Sequence, residues 1–566
     1  MNYLKNFLLG GISVLVTTGI QAQSEDPLKP NWSKFHSTSE THALLKAWNE
    51  NFPKLTKLFS IGQTLQETDL MVFEITNQET GLAADKPAYY YDGNIHAGEL
   101  TGAEVALHFA WYVLTNYGKN ERITKLLDTR TLYIRPKFNP DGADIALTTP
   151  SILRSTPRPY DEDGDGLLDE DPENDLDRNG IITQMRIKNS NGLYKISSQD
   201  KRLMVRRENS EFTGDFYDVM SEGIDDDKDG FLNEDGPGGI DMNRNFPRNW
   251  GMEFEQNGAG PYPLSEPETR STIEFINSHR NITGVFHGHT SGGILFRLPS
   301  TTSWDNFNLP DQRLIMELAG VYEKTTNQRA IPSYSNPRIH RHGTLIAWSY
   351  WDFGVVGFVP EFWGHFQADA NKDGNVTELE ELKWNDEKLG GKAFVNWKPF
   401  QHPDLGEVEI GGWDNKFTFQ NPPPQYLKEE IEKYIPWMLY LAGMSPQIDV
   451  MHKVQQIENS ELFQINVTVT NNGYLPTNIT QRALEAEIAV PVRVVIELNN
   501  AELVSGKSRV DVGHLKGSRD VDAGSAENRG EVEWIIKTLK SDAGILLKVI
   551  SEKGGNKSIE VHLKPK

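Results

Sequence analysis

The sequence predicts an α/β fold, a sheet covered by helices on both faces, followed by a small C-terminal β-sandwich. Three observations carry this. Strand-like and helix-like stretches alternate from about residue 39 to residue 443, the pattern of a sheet flanked by helices. After the break at Met444-Ser445-Pro446 the chain changes to short period-two strands. Hydrophobic residues make up 37% of the 566 and aromatics 10%, enough for a large core and too long a chain for one ordinary domain.

The N-terminus reads as a secretory signal over residues 1–22. Lys5 supplies a positive start, Phe7 to Ile20 an apolar stretch, and Ala22 a small residue for cleavage. The apolar run is short and interrupted by Gly10, Gly11, Thr17 and Thr18, which favours export over anchorage. No later segment reads as a bilayer span, so no stable membrane insertion is expected. The mature chain is expected to be secreted, periplasmic or at the cell surface. It has no cysteine, which excludes disulfides, thiol nucleophiles and thiolate ligands. Any metal must be held by histidines and carboxylates.

Within 23–443, Ser39 to Asn51 reads as a helix with Leu44, Leu45 and Trp48 apolar. Strands are expected at Leu55 to Ile61, Leu70 to Thr76 and Ala88 to Asp92, a long helix at Glu99 to Tyr117, and a strand at Thr131 to Pro136. Ser265 with Glu268 has the spacing of a capping box and predicts a helix to about Arg280. Strands follow at Thr283 to Phe286 and Val355 to Val359. Pro424 to Gly443 predicts one amphipathic helix, proline at its start and glycine at its end. In 447–566, Phe463, Ile465, Val467 and Val469 alternate, and Asn471-Asn472-Gly473 predicts a hairpin turn. Val492 to Leu498, Ile545 to Ile550 and Ile559 to Leu563 continue the sandwich.

Most of the net charge of −23 lies in two blocks, Asp161 to Asp177 and Asp225 to Asp235. Charge this dense means disorder or bound cations, and nothing is basic enough for nucleic acid. Asp161, Asp163 and Asp165 before Gly166 share one spacing with Asp175, Asp177 and Asn179 before Gly180, and with Asp225, Asp227 and Asp229 before Gly230. Alternate oxygens at this spacing converge on a hard cation. A fourth segment, 369–380, resembles an EF-hand loop with Asp369, Asn371, Asp373, Asn375 and, twelfth, Glu380. Structural calcium is therefore expected, in an insert of about 155–240 and in this loop.

The chemistry resides in five ordered motifs. His96-Ala97-Gly98-Glu99 joins a strand to a helix, where a histidine and a glutamate three apart can point at one metal ion. Asn139-Pro140-Asp141-Gly142 comes next, then Asp241-Met242-Asn243-Arg244-Asn245-Phe246-Pro247. His287-Gly288-His289-Thr290-Ser291-Gly292-Gly293 follows. Last come Trp348-x-Tyr350 and Glu361, thirteen residues after that tryptophan. With these motifs, residues 30 to 443 resemble the carboxypeptidase A-like family of zinc metallocarboxypeptidases, which implies a mixed-sheet α/β/α domain.

The resemblance implies that His96, Glu99 and a distant histidine hold zinc, leaving a fourth position open. His289, followed by small residues as in the family, is the better third ligand, with His287 as the alternative. Glu361 matches the catalytic general base. Asn243 and Arg244 match the pair that grips the substrate's terminal carboxylate, for which an arginine fork is suited. Arg154, fifteen residues after Asn139, matches the oxyanion-stabilising arginine, with Arg158 as a rival. Ile346 stands where the family sets side-chain preference and hints at apolar C-terminal residues. The family's mobile tyrosine falls on Ile339, with Tyr334, His340 and His342 nearby, so that role is unassigned. Gly98 and Ala347 also replace the arginine and aspartate found in other members.

The expected function is an exported zinc carboxypeptidase acting on peptide or protein C-termini. Two other readings share the motifs: a hydrolase of cell-wall (murein) peptides in the same family, and a calcium-bound surface binding protein on a dead peptidase fold. The presence of every ligand, clamp and base residue speaks against the last.

Overall fold

The computed structural model describes residues 28–162, 164–300, 302–333, 341–364, 368–371, 373, 375–458, 460–521 and 525–564. The expected signal (1–22), Asp163, Tyr334, Ile339, His340 and Gly374 lie outside them.

An eight-stranded mixed sheet forms the centre. Its strands are β1 (Thr56–Gln63), β2 (Asp69–Ile75), β3 (Ala88–Gly93), β4 (Thr131–Arg135), β5 (Ile282–Thr290), β6 (Ile294–Arg297), β7 (Arg329–Pro332) and β8 (Val356–Phe362), in the order β1-β2-β4-β3-β5-β8-β6-β7. The four central strands β4, β3, β5 and β8 are mutually parallel; β2 and β6 join them antiparallel, β1 pairs antiparallel with β2, and β7 pairs parallel with β6. Every residue of β3 and β5 is buried, as expected of parallel strands covered on both faces. Trp437, fully buried, packs edge-on to Phe358 and Tyr322 and against Phe286. Burying one such ring stabilises the fold by about 1.5–3 kcal/mol.

Helix α1 spans Thr38–Asn51, with a capping box between Ser37 and Glu40. Helix α2 (Leu100–Asn116) is apolar almost all round, the mark of a core helix. It starts very close to the sheet. A Cβ on Gly102 would lie 2.7 Å from the Gly288 carbonyl oxygen, and one on Gly93 would lie 2.2 Å from that of Gly102. Only glycine permits this contact, and it brings the start of α2 against the end of β5.

Three local expectations are corrected. The helix at Pro424 to Gly443 is two helices, Pro424–Glu432 and Ile435–Gly443. Pro436 lacks an N–H and disfavours helical geometry in the residue before it. Ser265 does not cap a helix: the helix is Pro267–Ser278 with Glu266 at its N-cap, and the Ser265 hydroxyl donates to the Glu266 carboxylate instead. Asn471-Asn472-Gly473 does not turn a hairpin. The strand Leu462–Asn471 pairs with Ile448–Gln456 and Arg529–Thr538, and the Asn471 amide donates to the Leu475 carbonyl.

The acidic insert is folded. Gln184–Lys188, Tyr194–Ile196, Met204–Arg206 and Tyr217–Ser221 join Phe394–His402 and Gly406–Trp413 in an antiparallel six-stranded sheet. Its chain leaves beside the start of α2, where the Gly98 N–H donates to the Leu153 carbonyl at 2.7 Å, and the Thr156 N–H donates to Ile240 on return.

The C-terminal region is a sandwich of two four-stranded sheets with its own core around Ile465, Trp534 and Leu547. It is tied to the first domain by buried polar contacts. The Asp311 carboxylate accepts from the N–H groups of Gln481 and Arg482 at 2.7 and 2.9 Å and from the Tyr350 hydroxyl at 2.8 Å. Buried Lys553 donates to the Ile282 carbonyl at the start of β5 at 2.7 Å.

Candidate active site

Strands β3, β5 and β8 run in the same direction, so their carboxyl ends meet on one edge of the sheet, the usual place for a site in an α/β fold. Just past β3, Asn94 adopts a φ of 65°, which asparagine tolerates. Its amide donates to the carbonyls of His96 and Ala97, both at 2.9 Å, and so shapes the loop that carries His96. Glu99 is the N-cap of α2, yet its side chain makes no capping bond.

That carboxylate points instead at two histidines. Its oxygens lie 2.7 Å from His96 Nδ1 and 2.9 Å from His289 Nδ1, and the two Nδ1 atoms are 3.1 Å apart. The three ligand atoms lie within 4.8 Å of one another and all three residues are buried. Two imidazole nitrogens and one carboxylate, converging with no thiolate, form a His₂Glu donor set that fits zinc. Burial pushes the His289 imidazole down to about 3, against the pull of Glu99, so the ring is neutral and able to ligate. Despite burial, His96 and His289 hold the Glu99 carboxyl below its usual range. His287, the alternative ligand, engages Asp92 at 2.5 Å and sets its ring edge-on to His289.

Asp241 supports this set. One carboxylate oxygen lies 3.0 Å from His96 Nε2, and the other takes Arg154 at 2.9 Å. A carboxylate on the far nitrogen fixes the ring with Nδ1 turned inward. Burial opposes the charge on Asp241, but Arg154, His96 and Arg244 hold its carboxyl well below the usual range. Burial and the Arg154 charge push the His96 imidazole down, and Glu99 with Asp241 outweigh them, so its pKa is raised. The rival Arg158 pairs with buried Glu266 at 3.0 Å.

His96, Glu99, His289, Arg154, Asn243, Arg244, Ile346 and Glu361 all line one cavity of about 230 Å³. Asn243 and Arg244 come from the short helical turn Met242–Arg244, capped by Asp241. The Asn243 side-chain oxygen accepts from the Leu345 N–H at 3.2 Å, and its amide reaches within 3.4 Å of His289 Nε2. Burial, then the nearby Glu99, raises the Glu361 carboxyl well above its usual range, while Arg154, Arg341 and Arg244 pull the other way. A half-buried carboxylate raised in this manner is suited to taking and returning a proton.

Sequence reasoning missed three contributors. Asp241 was visible as the residue opening its motif, without its role. Asn94 gives no local signal beyond a polar residue after a strand. Arg341 enters the cavity wall beside Phe296 and Ser333, and only tertiary structure puts it there.

The acidic residues of the insert gather in several clusters, some with partners their spacing does not name. Asp225, Asp227 and Asp229 converge as expected, and Asp175 and Asp177 converge with Glu222. Asp165 joins Glu170 and Asp227, and the Asp161 carboxylate accepts from the N–H groups of Gly164 and Gly166. The Asn179 N–H donates to the carboxylates of Asp175 and Asp177, and its side-chain oxygen accepts from the Ile181 N–H. In the loop 369–380 the Asp373 N–H donates to the Asn371 side-chain oxygen and the Asn375 N–H to the Asp373 carboxylate, and Glu380 caps its helix with Thr377.

Residues 41–371 match the family described as zinc carboxypeptidase, and residues 449–562 match a domain of unknown function. Among similar proteins, carboxypeptidase D of Drosophila melanogaster is 33% identical over 120 residues, 21% of this chain and 8% of that protein. Carboxypeptidase E of Caenorhabditis elegans is 32% identical over 124 residues, 22% of this chain and 26% of its own length. The chain thus spans about a quarter or less of these two relatives. The solved structure of carboxypeptidase A from Helicoverpa armigera is similar with a TM-score of 0.39 and 15% identity, covering 60% of this chain and 68% of that one.

Proposed function

The chain belongs to the zinc carboxypeptidase family, and from that premise we propose that it is an exported enzyme releasing residues from the free C-terminal end of peptides. The observation that carries the reading is the shared cavity: the His₂Glu set, Glu361 and the Asn243–Arg244 pair all line it.

His96, Glu99 and His289 would hold zinc, which when bound supplies Lewis-acid activation of water and of the scissile carbonyl. Asn243 and Arg244 receive the terminal carboxylate, and this contact makes the enzyme an exopeptidase. Glu361 takes a proton from the attacking water and returns it to the leaving amine. Arg154, held by Asp241 beside Glu99, faces the developing oxyanion.

Export rests on Lys5, the Phe7 to Ile20 stretch and Ala22. No helix among the described residues is long and apolar enough to cross a membrane. Structural calcium in the insert is supported by Asp225, Asp227 and Asp229, whose oxygens converge. Burial and the neighbouring Asp171 push Glu234 up to about 7, a repulsion that a cation would relieve.

The test is mass spectrometry of one peptide with a free and with an amidated C-terminus, with and without a zinc chelator. Stepwise loss from the free end alone, abolished by the chelator, is the expected result. Cleavage of the amidated form, or none at all, would overturn the reading.

A further inference from the structure

Among the described residues that line the cavity, Arg341 is a cation that neither the zinc set nor the carboxylate grip uses. Arg154 is occupied by Asp241 at 2.9 Å and lies 3.6 Å from Glu99. Arg244 lies 4.0 Å from Asp241 and donates to the Asn243 carbonyl. Arg341 differs from both. Its guanidinium stacks over Phe296, 4.8 Å from the ring centroid, and donates a long hydrogen bond, at 3.4 Å, to the Ser333 carbonyl. Among the described residues it forms no ion pair with a carboxylate.

Its charge reaches the Glu361 carboxyl through space, together with those of Arg154 and Arg244, but with no described carboxylate in contact the half-buried guanidinium makes an incomplete interaction. The planar fork is built to take a carboxylate on two parallel N–H groups, and the stack on Phe296 holds its plane and limits the rotamer freedom lost on binding. The same cavity also carries apolar lining from Phe296, Ile346 and Val359. That combination suits a side chain with a short methylene stem and a negative end.

We infer that Arg341 selects substrates whose last residue is acidic, glutamate or aspartate, by pairing with that residue's side-chain carboxylate while Asn243 and Arg244 hold its main-chain carboxylate. Ile346 then lines the stem of the acidic side chain, and the apolar preference its position suggested does not apply. The inference rests on the carboxypeptidase reading, and its test separates the two.

The zinc-loaded protein is given peptides identical except for a last residue of Glu, Gln, Leu or Lys, and binding of free L-glutamate and L-glutamine is measured by calorimetry. Glutamate and glutamine differ in little but charge, so the Glu/Gln ratio isolates the ion pair. The expected result is a preference for Glu of about tenfold or more in kcat/KM and in affinity. In Arg341→Gln both ratios fall towards one, and in Arg341→Glu the order turns towards Lys. Equal release of Glu and Gln by the wild type, or a ratio untouched by Arg341→Gln, would overturn the inference and leave the enzyme reading standing. Tighter binding of glutamate with no peptide cleaved would do the reverse. Equal binding with no cleavage would overturn both.

Discussion

Glu361 and His289 are in-register partners on the adjacent parallel strands β8 and β5. The sheet backbone therefore sets the spacing between the proposed base and a metal ligand, with no loop between them.

Replacing Glu361 by Gln keeps the shape of the side chain and removes the base. We expect kcat to fall by about 10²- to 10⁴-fold while zinc content, measured by elemental mass spectrometry, stays at the wild-type level. Full activity in Glu361→Gln would remove Glu361 from the chemistry.

The two histidines of β5 have separable roles. His289→Ala should lose zinc, since two protein ligands remain. His287→Ala should keep it, because His287 is committed to Asp92. Zinc stoichiometry of the two purified variants decides this, and the opposite pattern would exchange the assignment.

Asp241 orients His96 and holds Arg154 at once. Asp241→Asn weakens both contacts without changing volume, and zinc affinity should drop by about 10- to 100-fold. Competition with a chromogenic chelator reads this directly. An unchanged affinity would mean that Asp241 acts only on Arg154.

Glu268 gives a pH dependence of stability away from the site. Burial, then the neighbouring Glu266, pushes its carboxyl up to about 7, against Arg135. The folded chain thus binds a proton that the unfolded chain releases at an ordinary value of about 4.3. Stability is lost as pH rises from there to about 7, and the loss is complete above it. Glu268→Gln removes this term, so the variant should match the wild type near pH 4 and exceed it by about 1–3 kcal/mol at pH 8. Denaturant unfolding at both values checks it, and a difference independent of pH would refute the assignment.

The central sheet and the site were largely legible in the sequence, for a physical reason. Fully buried parallel strands read as apolar runs, and the metal ligands sit at strand ends, where local signals are strong. The insert was harder to read. Its strands, such as Gln184–Lys188, are short and part-exposed, and charge masked their period. Local pattern also misled where one residue overrode it, as Pro436 did in the helix Pro424 to Gly443. Asp165 and Asp227 lie 62 positions apart and cluster only in three dimensions, so no spacing could point one to the other. Arg341 belongs to the same class: its meaning comes from Phe296 across the cavity.

The junction between the two domains has a consequence for how this chain can be shortened. Asp311 satisfies its charge with two backbone donors from beyond residue 480 and with Tyr350, a residue of the same short helix that carries Ile346. A protein cut at the apparent border near residue 446 would strand a buried anion against the helix that carries Ile346 and free the start of β5 from Lys553. A minimal version cut there should be a poorer protein and not just a smaller one, and genetic exchange that swapped the peptidase unit alone would carry the same defect.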